Sequence, residues 1–184
     1  MYEKVANYSS RCTRAIVGFC RARRGATAVE FALIAPFFLA TLIAVLQTCV
    51  FVFAQATLQT AAMTAGRLIM TGQVQNGGVT QSQFLNDICP TIQPLFNCNN
   101  LMVNVANYSD FSSANTTAPV LTYNAQGQIT NAWSYNPGAP GQVVVVQLIY
   151  QWSVVGGPLG FVLSNLPNSM SEIVGVSAFR VEPY

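Results

Sequence analysis

The sequence predicts an α+β fold, in which one long N-terminal helix carries a transmembrane segment and a small antiparallel β-sheet domain follows it. Three observations support this prediction. Residues 31–54 are apolar and uncharged, residues 55–72 keep a helical composition, and residues 142–154 alternate as a strand does. Charged residues make up only 8% of the 184-residue chain, against roughly 25% in average soluble domains. Part of the surface is therefore expected to meet lipid or a large partner.

The apolar run over residues 31–54 is predicted to cross a membrane. It exceeds the roughly 20 residues that a helix needs to span a hydrocarbon core of about 30 Å. Residues 1–25 hold six basic side chains and one acidic side chain, and the next basic residue is Arg67. The positive-inside rule then keeps the N-terminus in the cytoplasm and exports the C-terminal part. A cleaved secretory signal fits less well, because the run is too long and no small-x-small site follows it directly.

The helix is expected to continue over residues 55–72, which are rich in Ala, Leu, Gln and Met and contain no proline. One helix over residues 26–72 would be about 70 Å long, so its outer half must pack on its own C-terminal domain or on other copies. Small residues recur at four-residue spacing: Ala28 with Ala32, Ala61 with Ala65, and Ala62 with Gly66. Such rows let helices approach closely in lipid, or they simply reflect the helix propensity of alanine.

Residues 73–184 are predicted to form a small exported α+β unit. Thr80 and Gln83 have the spacing of a capping box at the start of a short helix. The apolar face of that helix consists of Phe84, Leu85 and Ile88.

Three strands are predicted in this unit, at about residues 101–108, 142–154 and 173–181. The middle strand is the clearest, because its alternate residues form an apolar stripe: Val144, Val146, Leu148, Tyr150 and Trp152. Residues 110–141 are rich in Asn, Thr, Gly and Pro, so we expect loops there, with a short strand at 119–123. A sheet of three or four strands needs a covering layer, which we expect to be the outer half of the long helix.

An apolar, uncharged connection over residues 155–166 follows the middle strand. We expect it to close the core of the exported unit. The alternative is a patch that touches the membrane or a neighbouring subunit, as exposed apolar patches often do.

The five cysteines fall into three groups. Cys89 and Cys98 lie in the exported unit, where an oxidising compartment favours a disulfide between them. Cys49 lies within the apolar run and is interpreted as a small apolar side chain. Cys12 and Cys20 precede the run on its cytoplasmic side, where thiols stay reduced.

A glutamate stands at the start of the apolar helix, where an unpaired carboxylate costs several kcal/mol and so needs a reason. The run around it is Arg23-Arg24-Gly25-Ala26-Thr27-Ala28-Val29-Glu30-Phe31. This arrangement resembles the type III prepilin cleavage motif. The resemblance implies that a prepilin peptidase cuts between Gly25 and Ala26, removing residues 1–25 as a leader. It also implies that Glu30, followed by Phe31, neutralises the new N-terminal amine of a neighbouring subunit during assembly. The alternative is a generic single-pass protein with a chance glutamate.

The sequence from Gly25 to Pro36 resembles the TadE-like pseudopilins of Tad/Flp pili, whose N-terminal segments resemble G-x-x-A-V-E-F-A-L-x-x-P. Residues 178–183 resemble the A-x-R-x-E-P ending common in the same proteins. The resemblance implies a type IV pilin-like fold and a bacterial inner-membrane location. It also implies three kinds of partner: the prepilin peptidase, other pilin subunits and the inner-membrane assembly platform. Major Flp pilins are very short and often have Tyr after the glutamate, so Phe31 and the exported unit indicate a minor, pseudopilin-like member.

Several function classes lack support in the sequence. There is no histidine, and the nucleotide-binding glycine motifs are absent. The acidic residues are scattered, and the two exported thiols are too few for a zinc site. Six of the eight basic residues lie within the first 25 residues, and the rest of the chain is net acidic, so nothing there favours nucleic-acid binding. We therefore expect no enzymatic activity, no cofactor and no metal.

Two rival functions keep the membrane anchor but change its role. A type II secretion-type pseudopilin shares the spacing between Gly25 and Glu30, but those proteins resemble each other in having Phe or Met after the cleavage site, where this chain has Ala26. A membrane-anchored binding module or adhesin would never assemble and would keep its first 25 residues.

Overall fold

The computed structural model describes residues 25–93, 95–157 and 160–183, and it begins with one long helix. Helix α1 runs without interruption over Ala26–Met70, 45 residues that include Pro36. It ends two residues before the predicted boundary, because Gly72 adopts a left-handed conformation with φ of 75°. The predicted leader, apart from Gly25, lies outside the described residues. Contacts divide the chain into two units that meet at Val45 and Leu46.

Two shorter helices follow α1. Helix α2 spans Gln73–Asn76, and helix α3 spans Gln81–Ile92. The predicted capping box is confirmed: the Thr80 side chain accepts from the Gln83 backbone N–H, and the Thr80 backbone N–H donates to the Gln83 side chain at 2.9 Å. Helix α3 buries three side chains of one face: Phe84, Ile88 and Ile92.

The sheet has three antiparallel strands in the order β1-β2-β3. Their bounds are Met102–Tyr108, Val143–Ser153 and Met170–Arg180. The α+β prediction and the number of strands are therefore confirmed, although β3 begins three residues before its predicted start. The strand predicted at 119–123 does not form within the described residues, where Tyr123 makes only an isolated bridge to Ile129.

One face of the sheet forms the main core with α1 and α3. The predicted stripe of β2 lies on this face, paired with Val103 and Val105 of β1. Leu58 and Ile69 of α1 and Phe84 of α3 complete the same buried cluster. The covering layer predicted for the sheet is therefore the second part of α1, within the unit formed by residues 46–184.

Small residues allow α1 and β3 to lie in close contact. A Cβ atom on Gly175 would lie 2.5 Å from the backbone oxygen of Leu58, and one on Gly66 would lie 2.6 Å from Ser177 Oγ. Ala61, Ala62 and Ala65 are completely buried. The rows formed by Ala61 with Ala65 and by Ala62 with Gly66 therefore serve helix-to-sheet packing within the chain, a use that neither sequence interpretation named. Ala28 and Ala32 are exposed.

Two glutamines of α1 bond to the backbone of β3, which is an edge strand. Gln55 Nε2 donates to Val174 O at 2.9 Å, and Gln59 bonds to both the C=O and the N–H of Val176, at 2.8 and 3.0 Å. The distance between Gln55 and Gln59 along α1 matches the distance between Val174 and Val176 along β3. Four helical residues rise about 6 Å, and two strand residues advance about 6.6 Å. The glutamines thus occupy backbone groups that an edge strand otherwise leaves open.

The opposite face of the sheet is covered by the long connection between β1 and β2. The side chain of Gln147 is buried on that face and donates to Thr117 O at 2.8 Å. Gln151 donates to Tyr123 Oη at 2.8 Å. Residues 110–141 were predicted as loops, but their role as the cover for a second face of β2 was not.

The apolar connection over residues 155–166 does not close the core in the part that the structure describes. Val155 is 74% exposed and Val162 is 60% exposed. Aromatic rings already fill this end of the core, because Phe96 packs edge-to-face on Tyr150 at 4.9 Å and on Trp152 at 5.6 Å. The expectation that this segment completes the core is wrong, and its alternative, an exposed apolar patch, agrees with the structure.

Candidate processing and assembly segment

The predicted cleavage position lies where α1 begins. Gly25 is exposed, and Ala26 is the first residue of the helix. A Cβ atom added to Gly25 would meet no atom within 4 Å. The peptide bond between these residues is therefore not shielded by any part of the chain that the structure describes, and glycine lets it extend readily.

Glu30 lies one helical turn after Ala26, on the same side of α1. Its side chain is exposed, and its carboxylate forms no ion pair or hydrogen bond with another described residue. Phe31, next to it, is 73% exposed. An unpaired carboxylate beside a long apolar surface is costly in lipid, so this group calls for a partner from elsewhere.

The apolar surface after Glu30 extends around the helix. Large side chains are exposed on every side, including Leu33, Ile34, Phe37, Phe38, Leu39, Leu42 and Ile43. The most apolar stretch of α1 has a mean hydropathy of 2.4, with 11% of it buried. A helix that is apolar all round requires lipid or other helices as its surroundings. Helix α1 is therefore a candidate membrane anchor.

Cys89 and Cys98 are joined in the structure, with their Cα atoms 5.8 Å apart. The link connects the end of α3 with the turn that precedes β1. Cys49 is exposed and is a free thiol. Cys12 and Cys20 lie outside the described residues.

The C-terminal residues hold the end of α1, a contact that the sequence did not predict. Val181 is buried, and its backbone N–H and C=O both bond to the turn before β2. The next residue, Glu182, donates its backbone N–H to Met70 O at 3.0 Å and so satisfies a carbonyl of the last helical turn. Because these are backbone bonds, side-chain patterns in the sequence carry no signal for them.

The other titratable groups form no reactive arrangement in the described residues. Hydrogen bonds from Ser112, Ser113 and Ser109 lower the pKa of Asp110 to about 2, as is common in tight polar turns. Burial, with the nearby charge of Asp87, raises the pKa of Tyr135. No group of three or more His, Cys, Asp or Glu side chains that could hold a metal ion occurs in this part of the chain.

Comparison with known proteins identifies the N-terminal segment. Residues 25–67 match the family model described as TadE-like protein. The match covers less than a quarter of the chain, begins at Gly25 and follows α1 almost to its end. The resemblance predicted for this segment is therefore confirmed, and it associates the chain with Tad pili and with a membrane. No curated protein and no solved structure was found to match the chain.

Proposed function

We propose that this chain is a minor pilin-like subunit, a pseudopilin, that takes part in building a Tad pilus and has no enzymatic activity. The observation that carries the proposal is the exposed start of α1, where Gly25, Ala26 and Glu30 precede an apolar surface and where the TadE-like match begins. A scaffold that presents such a helix suits assembly with other helices better than it suits chemistry on a small molecule.

In the proposed processing step, a prepilin peptidase hydrolyses the bond between Gly25 and Ala26. The basic residues of the leader keep that end in the cytoplasm, and the domain after α1 is exported. Hydrolysis converts the amide of Ala26 into a free ammonium at the first residue of the helix. The leader departs with its positive charges, which otherwise hold the N-terminus at the membrane surface.

In the proposed assembly step, the carboxylate of Glu30 pairs with the N-terminal ammonium of a neighbouring subunit. Each charge is expensive in a low-dielectric helical bundle when it is left alone. Pairing them therefore favours one register between neighbouring helices over others. The proposed partners are other pilin-like subunits and the inner-membrane assembly platform, with the prepilin peptidase acting before them.

The mature N-terminus tests this function. The intact mass of the membrane-extracted chain is measured from cells with and without the prepilin peptidase. We expect a chain that begins at Ala26 only when the peptidase is present. A chain that begins at Met1 in both strains would contradict the proposal and favour a membrane-anchored binding module.

The variant Glu30→Gln separates processing from assembly. We expect the variant to be cleaved normally but to be lost from the sheared pilus fraction, or to reduce piliation if the subunit acts only during assembly. The control is Asp87→Asn, which removes an exposed acid of α3 and leaves α1 unchanged. Normal piliation with Glu30→Gln would refute the assembly role, and normal piliation without the whole gene product would favour a type II secretion-type pseudopilin.

The same preparation tests the proposed disulfide. A processed chain keeps three cysteines: Cys49, Cys89 and Cys98. If Cys89 and Cys98 are oxidised after export, alkylation under denaturing conditions labels one thiol before reduction and all three after reduction. Labelling of all three before reduction would show that the pair is reduced in the cell.

A further inference from the structure

An open apolar groove lies beside α1 in the unit formed by residues 46–184. Its volume is about 320 Å³. The side chains that line it come from α1, from the end of β2 and from the segment that follows, and include Leu46, Val50, Phe51, Trp152, Val154 and Leu163. None of its described lining residues is charged, so the groove favours an apolar occupant.

The position of the groove along α1 coincides with the expected edge of the hydrocarbon core. A crossing of about 30 Å takes roughly 20 helical residues. Counted from Phe31, the first residue of the uncharged run, that crossing ends near Val50. The helical residues of the groove, 46–51, bracket this point. In an α1 that crosses a membrane from Phe31, this point is the boundary between acyl chains and headgroups.

The chain beside the groove is apolar and exposed. Val155 and Val162 expose 74% and 60% of their surfaces, and Phe161 exposes 36%. The sequence from residue 154 to residue 163 contains no charged side chain. Exposed apolar surface of this kind is costly in water, but it is favourable next to acyl chains.

The contact between α1 and this segment also suits an apolar surrounding. Gln47 is a polar residue inside the apolar run, and its Nε2 donates to Val155 O at 3.3 Å. A free backbone carbonyl and a free amide donor both cost several kcal/mol in hydrocarbon. The hydrogen bond from Gln47 to Val155 satisfies one amide donor and one backbone carbonyl. Gln47 Oε1 is buried without a partner among the described residues.

We propose that residues 154–157 and 160–163 rest in the membrane interface and that the acyl chain of a phospholipid occupies the groove. This inference rests on the proposed membrane anchoring of α1. The contact would fix the depth of the domain in the membrane before the subunit is extracted into a filament. Lipid is favoured over a second copy because the groove and the exposed valines beside it are uncharged, and because the groove lies at the point of α1 where a bilayer crossing counted from Phe31 ends.

A charged residue of β3 limits how deep this end of the sheet sits. Glu172 of β3 lies opposite Gln151 of β2 in the strand register, and Gln151 is next to Trp152, which lines the groove. A charge is costly in the hydrocarbon core but not among headgroups. We therefore expect Trp152 to lie at a shallow depth, near the glycerol level, and not at the bilayer centre.

Tryptophan quenching tests the proposal, because the chain has two tryptophans, Trp133 and Trp152. The full chain is placed in phospholipid vesicles whose acyl chains carry bromine at shallow or deep positions. Trp133→Phe leaves Trp152 as the only probe, and we expect shallow bromines to quench at least half of its fluorescence. Trp152→Phe leaves Trp133 in the loop between β1 and β2, where we expect quenching below a tenth.

A third probe separates failure of this inference from failure of the anchor. Phe38→Trp, with both native tryptophans replaced by Phe, places the probe in the exposed part of the apolar run, and deep bromines are expected to quench it. If Phe38→Trp is quenched but Trp152 is quenched no more than Trp133, the groove proposal is refuted and the anchor stands. If Phe38→Trp is not quenched, both are refuted.

The role of the apolar segment is tested by charge. Val155→Asp with Val162→Asp changes two exposed side chains, so the fold is expected to persist, and quenching of Trp152 is expected to fall at least twofold. The matched control is Val120→Asp, because Val120 is 82% exposed in the loop between β1 and β2. Equal quenching of Trp152 in both variants would show that the segment does not insert, and would overturn the proposal.

Discussion

The two parts of α1, residues 26–45 and 46–70, differ in surroundings although they belong to one uninterrupted helix. The first part exposes large apolar side chains on every side. The second part buries a stripe of small and branched residues: Ala54, Leu58, Ala61, Ala62, Ala65 and Ile69. Helix propensity is similar along both parts. The difference therefore comes from what each surface contacts: the second part packs on the chain's own sheet, whereas most large side chains of the first part remain exposed.

Side-chain size explains how one helix serves both roles. Phe, Leu and Ile in the first part form a large apolar surface that suits a fluid surrounding, because lipid adapts to the shape of the side chains. The second part meets a sheet at fixed positions, where Gly66 and Gly175 allow contacts that a Cβ atom would prevent. A candidate membrane anchor thus continues as a packed core helix without a break in its backbone.

The largest expected effect comes from the same substitution in each part. Leu58 is completely buried, whereas Leu33 is 65% exposed. Leu58→Ala should destabilise the domain by about 2–5 kcal/mol, because it removes apolar burial and leaves a cavity. Leu33→Ala should change the unfolding free energy by less than about 0.5 kcal/mol. Denaturation of the full chain in mild detergent, followed by tryptophan fluorescence, measures both, and equal effects would contradict the division of α1.

A smaller effect is expected from the glutamines that bond to β3. Gln59→Leu removes both of its bonds to Val176 and leaves those backbone groups without their partner. We expect a loss of about 1–2 kcal/mol in the same denaturation experiment, since each such bond contributes about 0.5–1.5 kcal/mol. The control Gln126→Leu changes an exposed loop residue. An unchanged unfolding midpoint for Gln59→Leu would show that these bonds do not stabilise the edge of the sheet.

The smallest effect concerns Glu172, two residues before the bonded Val174. Burial raises the pKa of Glu172, and its Oε1 has no partner among the described residues. The ionised form is therefore disfavoured in the folded state, so stability falls as the pH rises from the unfolded pKa through the raised folded pKa. Glu172→Gln should stabilise the domain at neutral pH by less than about 1 kcal/mol, because the site is partly solvated.

The gain from Glu172→Gln should disappear near pH 4, where the native carboxyl is protonated in both states. Asp110 provides a control because its pKa is shifted in the opposite direction to that of Glu172. Hydrogen bonds lower the pKa of Asp110 to about 2. Its stabilising contribution is present above the unfolded pKa and is lost as the pH falls through about 2. Thermal unfolding of Glu172→Gln, of Asp110→Asn and of the unsubstituted chain between pH 2 and pH 7 checks the two signs. A gain that did not depend on pH would exclude the carboxylate as its cause.

Features with a local periodic signal were predictable from the sequence. The apolar run, the capping box at Thr80 and the stripe of β2 each repeat with the period of their own element. The exposed start of α1, with Gly25 and Glu30, was also evident, because a charge next to an apolar run is conspicuous. The position of β3 was less certain: its first residues alternate weakly, and the pairing of Met170 with Ser153 sets where it starts.

By itself, the sequence determined the long apolar helix as a candidate anchor, the candidate cleavage and assembly residues and the inward face of the sheet, because these depend on neighbours only a few residues away. Tertiary structure alone decided that Ala61 and Ala65 pack on strands, that Gln59 bonds to an edge strand and that the loop before β2 covers a second face. It also decided that Val155 and Val162 remain exposed. These outcomes depend on contacts between residues far apart in the chain, which form only once the strand register has fixed which surfaces meet.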